Sequence, residues 1–231
     1  MRQVAIAIVC KTPAAGQSKT RLSPPLTPQE CAELSACFIR DTAANVRVLI
    51  DAGEVDGYAV YTPRGTETEM RTFFADPFHL LPQGEGDLGV RMLKAIRDLL
   101  SAGHAGVVLI GADAPTLPNT ILHQAVDAAR QGDNLAISHA RDGGYVLIGV
   151  SRPHARLFND IPWSTDAVYR LTCERARDIG LPVVALPGWY DVDDAATFHM
   201  LENELAGGEN GHAAPATRAF LRGRLARSPE V

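Results

Sequence analysis

The segment VAIAIVCKTPAAGQSKTRL, Val4 to Leu22, joins an apolar, β-branched run of strand length to a polar loop carrying Lys11, Gly16, Lys19 and Arg21. A buried strand that gives way at once to such a loop is the pattern of an open α/β sheet, whose ligands bind at the carboxyl ends of its strands. The loop reads either as a charged surface segment or as a cradle for phosphate. It is neither of two well-known phosphate loops: G-x-G-x-x-G is absent, and a Walker A loop needs glycine before the Lys-Thr pair, where Ser18 stands. Lys11, Lys19 and Arg21 still supply the charge and donors a polyphosphate needs, Arg21 as a planar fork and Lys19 as a point charge. Gly16 would let backbone N–H groups approach a ligand closely.

Outward from this segment, short β-branched runs alternate with amphipathic stretches. Strands are expected at the runs ending at Thr62, Asp113, Val150 and Leu186, with a short one near His79–Leu81 and another at NLAIS before the paired glycines. That alternation predicts an α/β fold, a mainly parallel sheet covered by helices on both faces. Thr27 and Glu30 form a capping box with Pro28 at the first helical position, opening a helix that carries Leu34, Phe38 and Val46. Gly86–Leu100 places Leu88, Met92, Ile96 and Leu99 on one stripe, and a further helix follows Pro118. The segment from Ser164 turns Val168, Leu171 and Ile179 inward and stops at Gly180. Residues 1–206 read as one domain. Residues 207–231 read as a linker and a short basic helix, packing on the domain or trailing it.

The bulk properties narrow the function. With 231 residues, 46% hydrophobic and a net charge of -5, the chain is an ordinary globular protein whose any basic function is local. Neither nucleic acid nor membrane is an expected partner. Cys10, Cys31, Cys37 and Cys173 show no metal-ligand spacing and read as small buried hydrophobes, with the cytoplasm as the simplest address.

Polar residues gather at several expected strand ends. Asp113 in GADAPTLP could hold a hard divalent cation or serve as a helix N-terminal acid. In WYDVDD, Asp191 and Asp193 fall on the same side if the segment is extended, while Asp194 is placed to cap the helix behind it. Gly143 and Gly144 behind Asp142 suit a tight hairpin or a ligand. Ser164 or Thr165 would cap the next helix, leaving Trp163 as packing or as the wall of a substrate pocket.

The ordered set KTPAAGQSKTRL, GDLGVRM, GADAPTLP, DGGYVLIG, PWST and WYDVDD resembles the DUF2064 family of glycosyltransferase A-like proteins, also described as CofC-like transferases. The resemblance runs from residue 1 to about residue 205, and TRAFL near the end fits it as well. It implies a nucleotide-diphospho-sugar transferase fold, a three-layer αβα sandwich with a mixed sheet. It further implies that Lys11, Lys19 and Arg21 hold nucleotide phosphates, that Asp113 with Asp193 holds Mg²⁺ or Mn²⁺, and that Gly86, Asp87 and Leu88 lie near the nucleobase. Ser18 departs from the pattern, which has a small apolar residue before KTRL. Asp113 lacks the D-x-D partner of metal-dependent glycosyltransferases, having Gly111 and Pro115 two residues away, and the KTRL loop resembles that of 2-phospholactate guanylyltransferase. Nucleotidyl transfer from a nucleoside triphosphate to a small anionic acceptor is therefore expected ahead of glycosyl transfer from a nucleotide sugar. In that alternative Asp142 is the candidate base. A non-catalytic nucleotide-binding regulator is the third reading. Asp142, Gly143, Gly144 and Asp191, with Trp163, Ser164 and Thr165, are the expected acceptor pocket, and a homodimer is left open.

Overall fold

The computed structural model describes residues 2–207 and 211–227. Gly208, Glu209 and Asn210 of the expected linker, and residues 228–231, lie outside the described residues. Strands β1 (Val4–Lys11), β2 (Val55–Thr62), β3 (His79–Pro82), β4 (Gly106–Gly111), β5 (Leu135–His139), β6 (Tyr145–Val150) and β7 (Val183–Leu186) form a sheet in the order β3-β2-β1-β4-β6-β5-β7. β6 is antiparallel to both neighbours and every other pairing is parallel. The helices are α1 (Pro28–Asp51), α2 (Glu67–Met70), α3 (Leu88–Ser101), α4 (Asn119–Arg130), α5 (Val168–Asp178), α6 (Ala195–Gly207) and α7 (Pro215–Arg227).

The apolar run that opens the chain explains the layers. Side chains alternate across a strand, so Val4, Ile6, Ile8 and Cys10 of β1 enter the core under α1 and α4, while Ala5 and Ala7 face α3 and α5. Both faces are covered, and this is why the strand reads as a continuous hydrophobic run. Each fully buried isoleucine contributes roughly 1.5–3 kcal/mol from burial. A third cluster, with Leu34 and Phe38 of α1, Phe198 and Leu201 of α6 and Leu221 of α7, ties the end of the chain to the body.

Helix boundaries depart from the sequence expectation in three places. α3 begins at Leu88, not Gly86: Asp87 is its N-cap, accepting the Val90 N–H at 2.9 Å, and Leu88 in the first turn is 42% exposed. Ile179 is likewise 42% exposed, because α5 has ended at Asp178 and Gly180, at φ 67°, turns the chain away; Leu171 is half-buried. Neither Ser164 nor Thr165 caps α5, which starts at Val168; the Thr165 hydroxyl instead donates to the Pro162 carbonyl at 2.7 Å. The capping box at Thr27 and Glu30 is present with both of its hydrogen bonds.

The sheet order positions the site. From β1 the chain proceeds outward through β2 and β3, then returns to place β4 on the other side of β1. The loops after β1 and β4 diverge at that reversal and leave a crevice at the carboxyl ends of the strands.

Candidate active site

A cleft of about 490 Å³ opens at this switch point and is lined by Lys11, Lys19, Arg21, Asp113 and Asp193, with Leu88, Arg91 and Ser164 on its walls. Lys19 is buried in its wall. The Lys19 ammonium donates to Asp113 Oδ1 and Asp193 Oδ1, both at 2.7 Å, and to the Val192 carbonyl at 2.8 Å. It also lies 5.5 Å from the centre of the Phe38 ring, and its side chain is only 6% exposed. Burial works against its charge, but Asp113 and then Asp193 outweigh that effect and hold its pKa above the ordinary lysine value. The Lys19 backbone is left-handed, at φ 49°, a conformation costing a residue with Cβ roughly 1–2 kcal/mol, which the paired carboxylates offset.

This geometry changes the role expected of Lys19. An ammonium has three hydrogens, and all three are taken by protein acceptors, so Lys19 has none left for phosphate. The cations with donors to spare are Lys11, Arg21 and Arg91. None of them has a carboxylate within salt-bridge distance among the described residues, although the Arg21 charge helps to lower the Asp194 carboxyl; Lys11 Nζ reaches the Gln17 carbonyl at 3.5 Å, and Arg91 Nε donates to the Gly86 carbonyl at 2.7 Å. Arg91 was not anticipated from the sequence. The signal was available, since Arg91 stands four residues after Asp87 and so rises from the helix face above the N-cap.

The two N–H groups that follow Gly16 are taken within the chain. The glycine's φ of 71° forms a tight turn in which the N–H groups of Gln17 and Ser18 both donate to the Ala14 carbonyl at 3.0 Å, and Gly16 lines a separate small pocket. Asp113 is no helix cap either: it lies in the loop between β4 and α4, and its carbonyl accepts the Val192 N–H at 2.9 Å, fastening the two acidic loops together.

The residues expected to form an acceptor pocket are dispersed. Ser164 reaches the cleft, whereas Trp163 packs on Gly89 of α3, where a Cβ would meet its ring at 2.7 Å. Gly143 closes the β5–β6 hairpin at φ 89°, and its Cα lies so close to Asp166 that a Cβ would stand 2.2 Å from that residue's carbonyl oxygen. The Asp142 carboxylate accepts the Gly144 N–H at 2.8 Å. The Asp191 carboxyl is pushed up to about 6, first by burial and then by Asp142 and Asp193. The acidic rim therefore continues from the cleft towards the hairpin.

Asp113 and Asp193 converge on one positively charged atom, and both are about half exposed to the cleft. Among the described residues no third histidine, cysteine or carboxylate completes a metal-binding group with them. Mg²⁺ is commonly held by one or two carboxylates with phosphate and water completing the shell, so the pair fits such an ion.

Asp194 accepts the Thr197 N–H at 2.8 Å and starts α6, and hydrogen bonds from Thr197 hold its carboxyl below the usual aspartate range. Asp194→Ala is expected to cost about 1 kcal/mol of stability by thermal denaturation, because water can replace the exposed cap.

The sequence profile of the family described as "Uncharacterized protein conserved in bacteria (DUF2064)" matches residues 45–165, just over half of the chain. Among solved structures, a protein from Desulfovibrio desulfuricans G20, provisionally described as a nucleotide-diphospho-sugar transferase, is 29% identical with a TM-score of 0.86, covering 98% of this chain and 96% of that one. CMP:2-keto-3-deoxy-manno-octonic acid synthetase complexed with CTP is 10% identical with a TM-score of 0.56, covering 88% and 98%. Glucosyl-3-phosphoglycerate synthase from Mycobacterium tuberculosis, in complex with Mn²⁺, UDP and phosphoglyceric acid, is 14% identical with a TM-score of 0.51, covering 99% and 80%. These last two share the fold alone. No curated protein matches the chain.

Proposed function

The chain belongs to the DUF2064 family, and from that premise we propose that it is a transferase acting on a nucleotide-activated substrate, carrying out nucleotidyl transfer from a nucleoside triphosphate to a small anionic acceptor. One observation carries this reading: three cations with no carboxylate within salt-bridge distance among the described residues, Lys11, Arg21 and Arg91, line a cleft together with a lysine shared by two aspartates. A polyphosphate is the ligand that needs several donors spread over several oxygens.

In the reaction proposed, an acceptor oxyanion attacks the α-phosphorus in line; the new O–P bond forms as the bond to the β-phosphate oxygen breaks, and pyrophosphate leaves. No protein nucleophile is needed. Positioning and charge stabilisation supply the catalysis. Arg21 and Lys11, on the loop after β1, draw charge from the leaving pyrophosphate, and Arg91 holds the triphosphate from α3. Lys19 keeps Asp113 and Asp193 together and cancels one of their two charges. Mg²⁺ or Mn²⁺ held by those aspartates would neutralise the α-phosphate.

Glycosyl transfer from a nucleotide sugar is the second reading, favoured by the likeness to the Desulfovibrio protein and its description. Asp142 is then the base to test. A melting-temperature panel of nucleotides and nucleotide sugars with divalent metal identifies the donor, because a ligand that binds only the folded form raises the midpoint. Release of pyrophosphate from a triphosphate supports nucleotidyl transfer; release of a nucleoside diphosphate from a nucleotide sugar supports glycosyl transfer. Binding with neither product leaves a nucleotide-binding regulator, and no binding sinks all three.

Arg91→Met is expected to weaken triphosphate binding about ten- to a hundred-fold, the loss of one charge-assisted hydrogen bond at roughly 1.5–3 kcal/mol, with little change in melting temperature without ligand. Unaltered affinity by calorimetry would remove Arg91 from the site.

A further inference from the structure

A second pocket, of about 460 Å³, is lined by His139, Arg141, Trp189, Tyr190, Met200 and Glu204. It lies on the same rim as the cleft. β5 ends at His139 and β7 leads into Trp189, and both strands run in the direction of β1, since β5 is antiparallel to β6 and β6 is antiparallel to β4.

The segment 189–193 connects the two. Tyr190 and Val192 are buried while Trp189, Asp191 and Asp193 are partly exposed, the alternation of an extended chain that sets the latter three along one side. Four residues span at most about 14 Å, so Trp189 stands within a small molecule's length of the carboxylate that shares Lys19.

The walls of the pocket are held in place. The Tyr190 hydroxyl donates to Glu204, the Thr116 hydroxyl donates to Glu204 at 3.1 Å, and the Trp189 indole N–H donates to Thr116 Oγ1 at 3.2 Å. The Trp189 and Tyr190 rings stack with centroids 5.8 Å apart. Oε2 of Glu204 thus accepts from two hydroxyls. Arg141, in contrast, has no carboxylate within salt-bridge distance among the described residues, and the partner of its Nη1 is the Met200 sulfur at 3.5 Å. A fixed aromatic wall beside a guanidinium with donors to spare suits a ligand with both a flat apolar face and a negative charge.

We infer that this pocket is the acceptor subsite of the transferase proposed above, and that it takes a small ring-bearing oxyanion whose ring lies against Trp189 and whose charge is held by Arg141. The inference rests on that transferase reading for its role, and on the pocket alone for its ligand chemistry.

Phenyl phosphate and benzoate are the probes, with inorganic phosphate as charge without ring and cyclohexanol as ring without charge. Calorimetry on the whole chain is expected to give saturable binding of phenyl phosphate or benzoate, at least ten-fold tighter than either control. Arg141→Gln and Trp189→Leu should each weaken that binding ten-fold or more, while the melting shift given by a triphosphate with metal persists. Trp189→Leu loosens the wall as well, so Arg141→Gln, whose side chain is exposed, is the decisive variant if the other unfolds. Absence of saturable binding by both probes, or equal binding by Arg141→Gln, overturns the inference while a persisting nucleotide shift leaves the transferase reading standing. Probe binding lost in Arg141→Gln, in a chain that no nucleotide or nucleotide sugar stabilises, removes the pocket's role as acceptor subsite together with the transferase reading.

Discussion

Lys19→Met is expected to lower triphosphate affinity a hundred-fold or more when measured without divalent metal. With the ammonium in place, Asp113 and Asp193 present one net negative charge to the cleft; without it they present two, at the point the phosphates must approach. Near a protein surface, one charge pair at about 4 Å is worth roughly 4 kcal/mol, and a hundred-fold loss needs only about 2.7 kcal/mol. Mg²⁺ at millimolar concentration should restore part of the affinity, because a divalent ion can neutralise the same two carboxylates. Lys19→Arg should not rescue fully, since the buried site beside Phe38 is filled by a compact ammonium and a planar fork is larger. The fold should lose about 1–2 kcal/mol: the lysine is buried, but both carboxylates are about half exposed and water screens what they lose. Calorimetry with and without Mg²⁺ tests the claim, and a Lys19→Met chain that binds the triphosphate as well as the parent does would refute it.

The sequence disclosed what local chemistry dictates. β1 was legible because both faces of the strand are covered, and the start of α1 because Thr27 and Glu30 lie within one turn of each other. The hairpin glycines and the Asp194 cap were legible for the same reason. Periodicity failed at helix ends, where Leu88 and Ile179 keep the spacing of a stripe but have no layer above them. In the cleft, Lys11, Lys19, Arg21, Asp113 and Asp193 stand out in the sequence by residue type and line one cavity. Their division of labour was not legible. Whether Lys19 has hydrogens free for phosphate depends on Asp193 and the Val192 carbonyl, more than 170 positions away, and no spacing rule reaches that far. Trp163 and Trp189 show the same limit: both follow a proline or glycine at an expected loop, and only packing sends the first under α3 and leaves the second on a pocket wall.

Asp41→Leu should have the largest effect on stability, about 3–4 kcal/mol. In the sequence Asp41 is a charged residue inside a long helix, where a solvent-facing position is the ordinary reading. In the structure it is 1% exposed, and its two carboxylate oxygens accept the Ala216 and Thr217 N–H groups, each at 2.8 Å. These are free donors of the first turn of α7, whose first residue, Pro215, has no N–H to satisfy. Leucine conserves much of the volume but leaves both N–H groups without an acceptor beside the Phe38–Phe198–Leu221 cluster, at roughly 1–3 kcal/mol each. Asparagine should rescue only in part, because its amide carbonyl can accept one N–H while its NH₂ group opposes the other. For a chain of this size the melting temperature should fall by about 2–4 °C per kcal/mol. Release of α7 should also speed tryptic cleavage between Arg218 and Arg224 at least ten-fold, because a helix must open before a protease can enter it. The comparison with Asp194→Ala is decisive. Both aspartates cap a helix, but water can take over at Asp194 and has no access at Asp41, so equal losses in the two variants would mean that α7 is held by its apolar face alone.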